Sequence, residues 1–122
     1  GFRLSTEKAS MSISKTSPLR SKKLLDSARD EACINCGSWA EGSIVAAHLT
    51  GMRAQSFGKG RGIKPHDWCI AYLCSRCHSK FDNYEVGEGN HTQAKIDQSE
   101  QMMFLVLRSI DRMFKNGVIK VG

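Results

Sequence analysis

Four cysteines fall into two pairs with the spacing of metal-binding turns, Cys33 with Cys36 and Cys74 with Cys77. Thiolates held this way at a tight turn aim at one point, and two such turns face to face complete the tetrahedron that Zn2+ prefers. Chelation closes the 37-residue stretch between the pairs and adds folding free energy that a small core lacks. A structural zinc ion on Cys33, Cys36, Cys74 and Cys77 is therefore expected. Cys69, the fifth cysteine, lies within an apolar run and reads as a small buried residue.

A second set of metal-ligand types follows at once. His78 and Asp82 stand four residues apart, so on a helix both emerge on one face. Cys77 and His78 are adjacent and point in different directions. One helix can thus serve the zinc on one side and a second divalent ion on the other. An imidazole and a carboxylate do not choose sharply among divalent metals, and Mg2+ or Mn2+ is the expected working ion. His48 precedes a glycine-rich loop. Carried to the same cleft, its neutral imidazole would take a proton from water beside a metal-bound phosphate. The loop cations Arg53, Lys59, Arg61 and Lys64 are candidate contacts to a nucleic-acid backbone, as are Arg76 and Lys80 of the predicted helix.

These residues need elements to position them. Leu24, Leu25 and Ala28 have helical spacing and predict a short basic helix over 20–30. "CINCG" is a tight turn whose Gly37 suits a positive φ. Residues 43–49, "SIVAAHL", predict a strand, 50–65 a loop, and 67–74, "DWCIAYLC", a second strand. Residues 75–85 predict a helix opened by Ser75 as N-cap. "VGEGNH" breaks the chain, and His91 is read there as a surface loop residue. A long helix is predicted over 92–116, with Gly117 as its stop. Its apolar stripe runs through Ile96, Met103, Val106, Leu107, Ile110 and Phe114, widened by Met102, Leu105 and Met113. "VIKV" at 118–121 is a candidate last strand.

The order Cys-x2-Cys, strand with His, loop, strand, Cys-x2-Cys-His-x3-Asp resembles the HNH endonucleases with their ββα-metal fold. "AAHLTG" and "GKGRGIKPHDWCIAYLCSRCHSKFD" are more closely similar to the phage and prophage HNH-like nucleases, the group of the YbcO-type nucleases and the Ref recombination nuclease. The positions that carry the likeness are Ala47 with His48, Gly62 with Lys64, Asp67, His78 and Asp82, and "NGVIKV" near the C-terminus also fits. The likeness runs from about Ala28 to Val121.

The resemblance implies an α+β fold. It would have a small zinc-stapled ββα-metal core over about 31–85 and a long C-terminal helix over about 92–116. Residues 19–122 would form one HNH-like domain behind a flexible basic arm, 1–18. It implies His48 as general base, His78 and Asp82 as ligands of the catalytic metal, and DNA or a recombinase–DNA complex as partner. Two positions depart from the pattern. Ala47 stands where HNH enzymes often carry a metal-binding Asp or His, which leaves a third ligand open. The usual Asn is missing, and Asp67 or His66 is the candidate for its supporting role.

Composition agrees with a nucleic-acid partner. The 122-residue chain carries 18 Lys and Arg against 12 Asp and Glu, a formal charge of +6, and a small basic domain of this kind suits a polyanion. Residues 1–30 hold seven of these cations against three acids. The longest apolar run, 68–74, is too short for a membrane span, and no secretory signal is visible. A cytoplasmic setting is expected, in a bacterial host for a phage- or prophage-encoded protein. A non-catalytic zinc ribbon that binds nucleic acid is the alternative, and it requires only the four cysteines.

Overall fold

The computed structural model describes residues 17–39, 43–83 and 91–121. In chain order these form α1 (Lys22–Asp26), β1 (Ile44–His48), a 3-10 helix (Met52–Phe57), β2 (Ile70–Cys74), α2 (Ser75–Asp82) and α3 (His91–Lys115). The architecture is a small α+β fold around a two-stranded antiparallel sheet. Ile44 pairs with Cys74, Ala46 with Tyr72, and His48 with Ile70. This register sets His48 at the end of the sheet remote from Cys74.

β2 is the centre of the molecule. Every residue of "IAYLC" is buried, so it reads as one apolar run rather than an alternation. β1 covers one edge of β2. On the other edge the Ile34 N–H donates to the Tyr72 carbonyl (2.8 Å), and the Tyr72 N–H donates to Ser109 Oγ of α3 (3.1 Å). Neither polar group of Tyr72 is left unpaired in the core, where an orphan would cost about 1–3 kcal/mol.

α3 packs on β2. The residues that bury themselves are Gln98, Met102, Leu105, Val106, Ser109 and Met113. Fully burying such a Leu or Met contributes roughly 1.5–3 kcal/mol. α3 closes with Gly117 at φ 73°. There the Gly117 N–H donates to Phe114 O (3.2 Å) and the Val118 N–H to Met113 O (2.8 Å). This paired C-terminal cap satisfies the last carbonyls of the helix.

Several expectations are corrected. The first helix is only five residues long and continues as turns, because the Leu24–Ala28 face is too short to bury more. The loop after β1 contains the 3-10 helix Met52–Phe57. α2 ends at Asp82, whereas residues 84 and 85 lie outside the described residues. His91 is not in the connection but opens α3. Residues 118–121 form no strand, since the N–H groups of Val118 and Ile119 bond back to Met113. The predicted stripe of α3 is split: Ile96, Met103, Leu107 and Phe114 are exposed. β2 is narrow and reaches only the side that carries Met102, Leu105 and Met113. Of the predicted N-terminal arm, residues 1–16 lie outside the described residues, while Pro18 packs against Gly58.

Candidate functional site

The four paired cysteines converge as a metal site requires. Their sulfurs all lie within 4.8 Å of one another, and Cys36 Sγ is 3.8 Å from Cys74 Sγ. A tetrahedral zinc with Zn–S bonds of about 2.3 Å calls for sulfurs roughly 3.8 Å apart. The cluster can hold a zinc ion. Gly37, at φ 79°, lets the first turn close, with its N–H donating to Cys33 O at 2.9 Å. The second pair sits where β2 becomes α2, so the strand fixes Cys74 and the first helical turn brings Cys77 alongside. Hydrogen bonding by the Ser38 backbone and the neighbouring sulfurs draws the exposed Cys36 thiol down to about 6. Burial pushes Cys77 up to about 12, despite a hydrogen bond from Asn35. A dication among the four sulfurs would favour the thiolate of each. Cys69 stands apart, buried, with burial raising its thiol to about 12.

α2 presents two distinct faces. Cys77 and Phe81 point into the core. His78 and Asp82 point into a cleft of about 780 Å3 between the end of β1, α2 and the N-terminal half of α3. His78 Nε2 is 3.4 Å from Asp82 Oδ2, and both side chains are open to solvent. Among the described residues only Cys33, Cys36, Cys74 and Cys77 gather three or more metal-ligand side chains, so His78 and Asp82 stand here as an exposed i,i+4 pair. His48 lines the same cleft, beside Ala47 and Arg53.

His48 is anchored from behind. Its Nε2 lies 2.9 Å from Asp67 Oδ1, and the Asp67 side chain is only 3% exposed. Burial alone would raise the Asp67 carboxyl. Hydrogen bonds from His48 and the Ser21 N–H, together with the Arg20 charge, outweigh it and hold the group below its ordinary value. Asp67 is therefore an acceptor at neutral pH, and Nε2 must carry the proton of the neutral ring. Nδ1 is left with its lone pair. Asp67 reaches His48 because β1 and β2 are paired, with the Leu49 N–H donating to Cys69 O (2.9 Å), and because the chain turns just before β2, with the Cys69 N–H donating to His66 O (2.9 Å).

Other candidates are placed elsewhere. His66 does not line the cleft. Its Nδ1 accepts the Leu19 N–H at 2.8 Å, and its ring stacks on Trp68, so it supports the loop rather than His48 directly. Among the six proposed phosphate contacts, Arg53 lines the cleft, whereas Lys59, Arg61, Lys64, Arg76 and Lys80 lie outside its lining. Arg76 and Lys80 are one helical turn apart on the side of α2 away from His78.

Sequence reasoning missed the α3 contribution. Lys95, Gln98, Ser99 and Glu100 also line the cleft. Gln98 is buried, and its Nε2 donates to Phe81 O at 2.8 Å, which ties α3 to the end of α2. A polar residue on an otherwise buried apolar stripe was the available signal. Arg20 and Ser21 were missed as well, and no local pattern could announce a contact made across 46 or 47 residues of sequence. Among the described residues no helix is long and apolar enough to cross a membrane. In comparisons with family models, curated proteins and solved structures, the chain finds no match.

Proposed function

We propose that this protein is a metal-dependent endonuclease of the HNH type that hydrolyses DNA phosphodiester bonds, with a zinc ion on its four cysteines. The observation that carries this reading is the convergence of His48, braced by buried Asp67, with His78 and Asp82 in one cleft. Structural zinc alone requires none of these three groups. The strand–strand–helix order and the basic charge are in keeping with a ββα-metal core that acts on a polyanion.

In this mechanism His78 and Asp82 would hold a divalent ion, Mg2+ or Mn2+. When bound, such an ion stabilises charge on the phosphate and on the leaving oxygen. His48 Nδ1 takes the proton of the attacking water. Asp67 keeps the ring in the required tautomer and stabilises the imidazolium that forms. Arg53 meets the phosphate backbone at the mouth of the cleft. Ala47 carries no ligand atom and would contribute nothing to such an ion.

Cleavage of plasmid and single-stranded DNA with Mg2+, Mn2+ or EDTA tests this reading. Activity should depend on the added ion. His48→Ala should lower it roughly 10²- to 10⁴-fold, with zinc content and circular dichroism unchanged. Full activity in that variant removes His48 as the base. A wild-type protein that binds DNA, carries only zinc and cleaves nothing is instead a zinc-ribbon binding module.

A further inference from the structure

The buried carboxylate of Asp67 is shared. Oδ1 meets both His48 Nε2, at 2.9 Å, and Arg20 Nη1, at 3.1 Å. Oδ2 accepts the Ser21 N–H at 2.7 Å. Arg20 and Ser21 belong to neither the sheet nor the cleft. They lie on the segment before α1 and reach Asp67 across 46 or 47 residues of sequence. The segment is stitched to the loop before β2 along its length. The Leu19 N–H donates to His66 Nδ1 (2.8 Å), and the Asp67 N–H returns to Leu19 O (2.9 Å). The Arg20 guanidinium also donates to Lys64 O and Pro65 O, each at 2.7 Å. Ser21 then caps α1 through its Oγ, which accepts the Leu24 N–H. Gly58 completes the seat: at φ 94° a side chain is already strained, and its Cβ would stand 3.2 Å from Pro18 Cα.

We propose that Arg20 and the Ser21 amide are positioning residues for His48, acting through Asp67. A carboxylate this buried stays ionised only while its oxygens are satisfied. His48 Nε2 can supply one hydrogen bond, and the clamp supplies the others. The clamp also fixes the plane of the carboxylate, because Oδ2 is held by a backbone N–H that cannot swing away. Without Arg20, Oδ1 has His48 alone and the Lys64 and Pro65 carbonyls lose their donor. The loop then relaxes, and the lock on the His48 ring loosens. The planar guanidinium fork of Arg20 spans three acceptors at once, which the point charge of a lysine could not. The arrangement makes the segment before α1 part of the site. Its link to catalysis rests on the nuclease reading, but its effect on the His48 ring does not.

The test uses the full zinc-loaded chain with Arg20→Ala and Arg20→Lys. Long-range 1H–15N correlation spectra read the tautomer of the His48 ring, and DNA cleavage gives kcat and KM separately. In the wild type the ring should show one tautomer, protonated at Nε2. In Arg20→Ala it should show a mixture, with kcat lower by on the order of 10- to 100-fold and KM within about twofold. Arg20→Lys, which keeps the charge but reaches fewer acceptors, should fall between. Should Arg20→Ala lose zinc or fold, Arg20→Lys carries the same comparison. Ring spectra identical to wild type overturn the proposal. So does a rise in KM with kcat unchanged, which would make Arg20 a plain phosphate contact. A wild type inert on every DNA defeats the nuclease reading, while the ring spectra still decide the clamp.

Discussion

At the residue scale, the proposed chemistry turns on one buried carboxylate. Asp67 is ionised below its ordinary range because its hydrogen bonds and the Arg20 charge outweigh its burial. A carboxyl lowered by folding stabilises the native state above its unfolded pKa, near 3.9, and that contribution is lost as pH falls through the lower folded value. Asp67→Asn should therefore cost about 1–3 kcal/mol at pH 7. The gap to wild type should close as pH drops below about 4. Denaturant unfolding of both proteins across that range checks the sign, and a gap that widens in acid would refute it. His48, His78 and Asp82 could be nominated from type and spacing alone. The partner of His48 could be named only as a candidate beside His66, since the two are neighbours in sequence. Their backbone geometry sends Asp67 inward to His48 and His66 to Leu19 and Trp68.

The elements were legible in unequal measure. Both strands, the helix at the second cysteine pair and the long C-terminal helix each have strong local patterns, and each forms near its predicted place. What could not be read was which side of the long helix meets the sheet. Its apolar residues cover more than one face, and only the geometry of β2 selects among them. Met113 is fully buried and Leu107 is 64% exposed, although both are large and apolar. Met113→Ala should cost about 2–5 kcal/mol, and Leu107→Ala should stay within about 0.5 kcal/mol. Urea unfolding midpoints of the two variants make the comparison. Equal losses would mean that α3 packs on a different face.

At the scale of the whole molecule, the sheet among the described residues has two strands, and the core built on it is correspondingly small. The cysteine cluster joins the turn at Cys33 and Cys36 to the junction of β2 and α2. Zinc binding at such a site is folding free energy, on the order of 10 kcal/mol or more in small zinc modules. A strong chelator should therefore lower the melting temperature sharply or unfold the chain. Zn2+ should restore it and Mg2+ should not. Thermal melts followed by circular dichroism with metal titration measure this. A melt indifferent to chelation would show that the cysteines pack without an ion. Because α2 carries both Cys77 and His78, loosening the cluster should also disturb the cleft.

Local patterns in the chain were enough to mark the four-cysteine cluster and most of the elements, and to nominate His78 and Asp82. Cysteine pairs, an i,i+4 histidine and aspartate, and hydrophobic periodicity are short-range signals, each set within a turn or two of chain. What closes the cleft emerged only when the chain was folded. The wall of the cleft on α3, the tie from Gln98 to Phe81, and the clamp of Arg20 and Ser21 on Asp67 all join segments far apart in sequence. Such contacts depend on how the sheet, helices and loops pack in three dimensions, and no spacing along the chain encodes them.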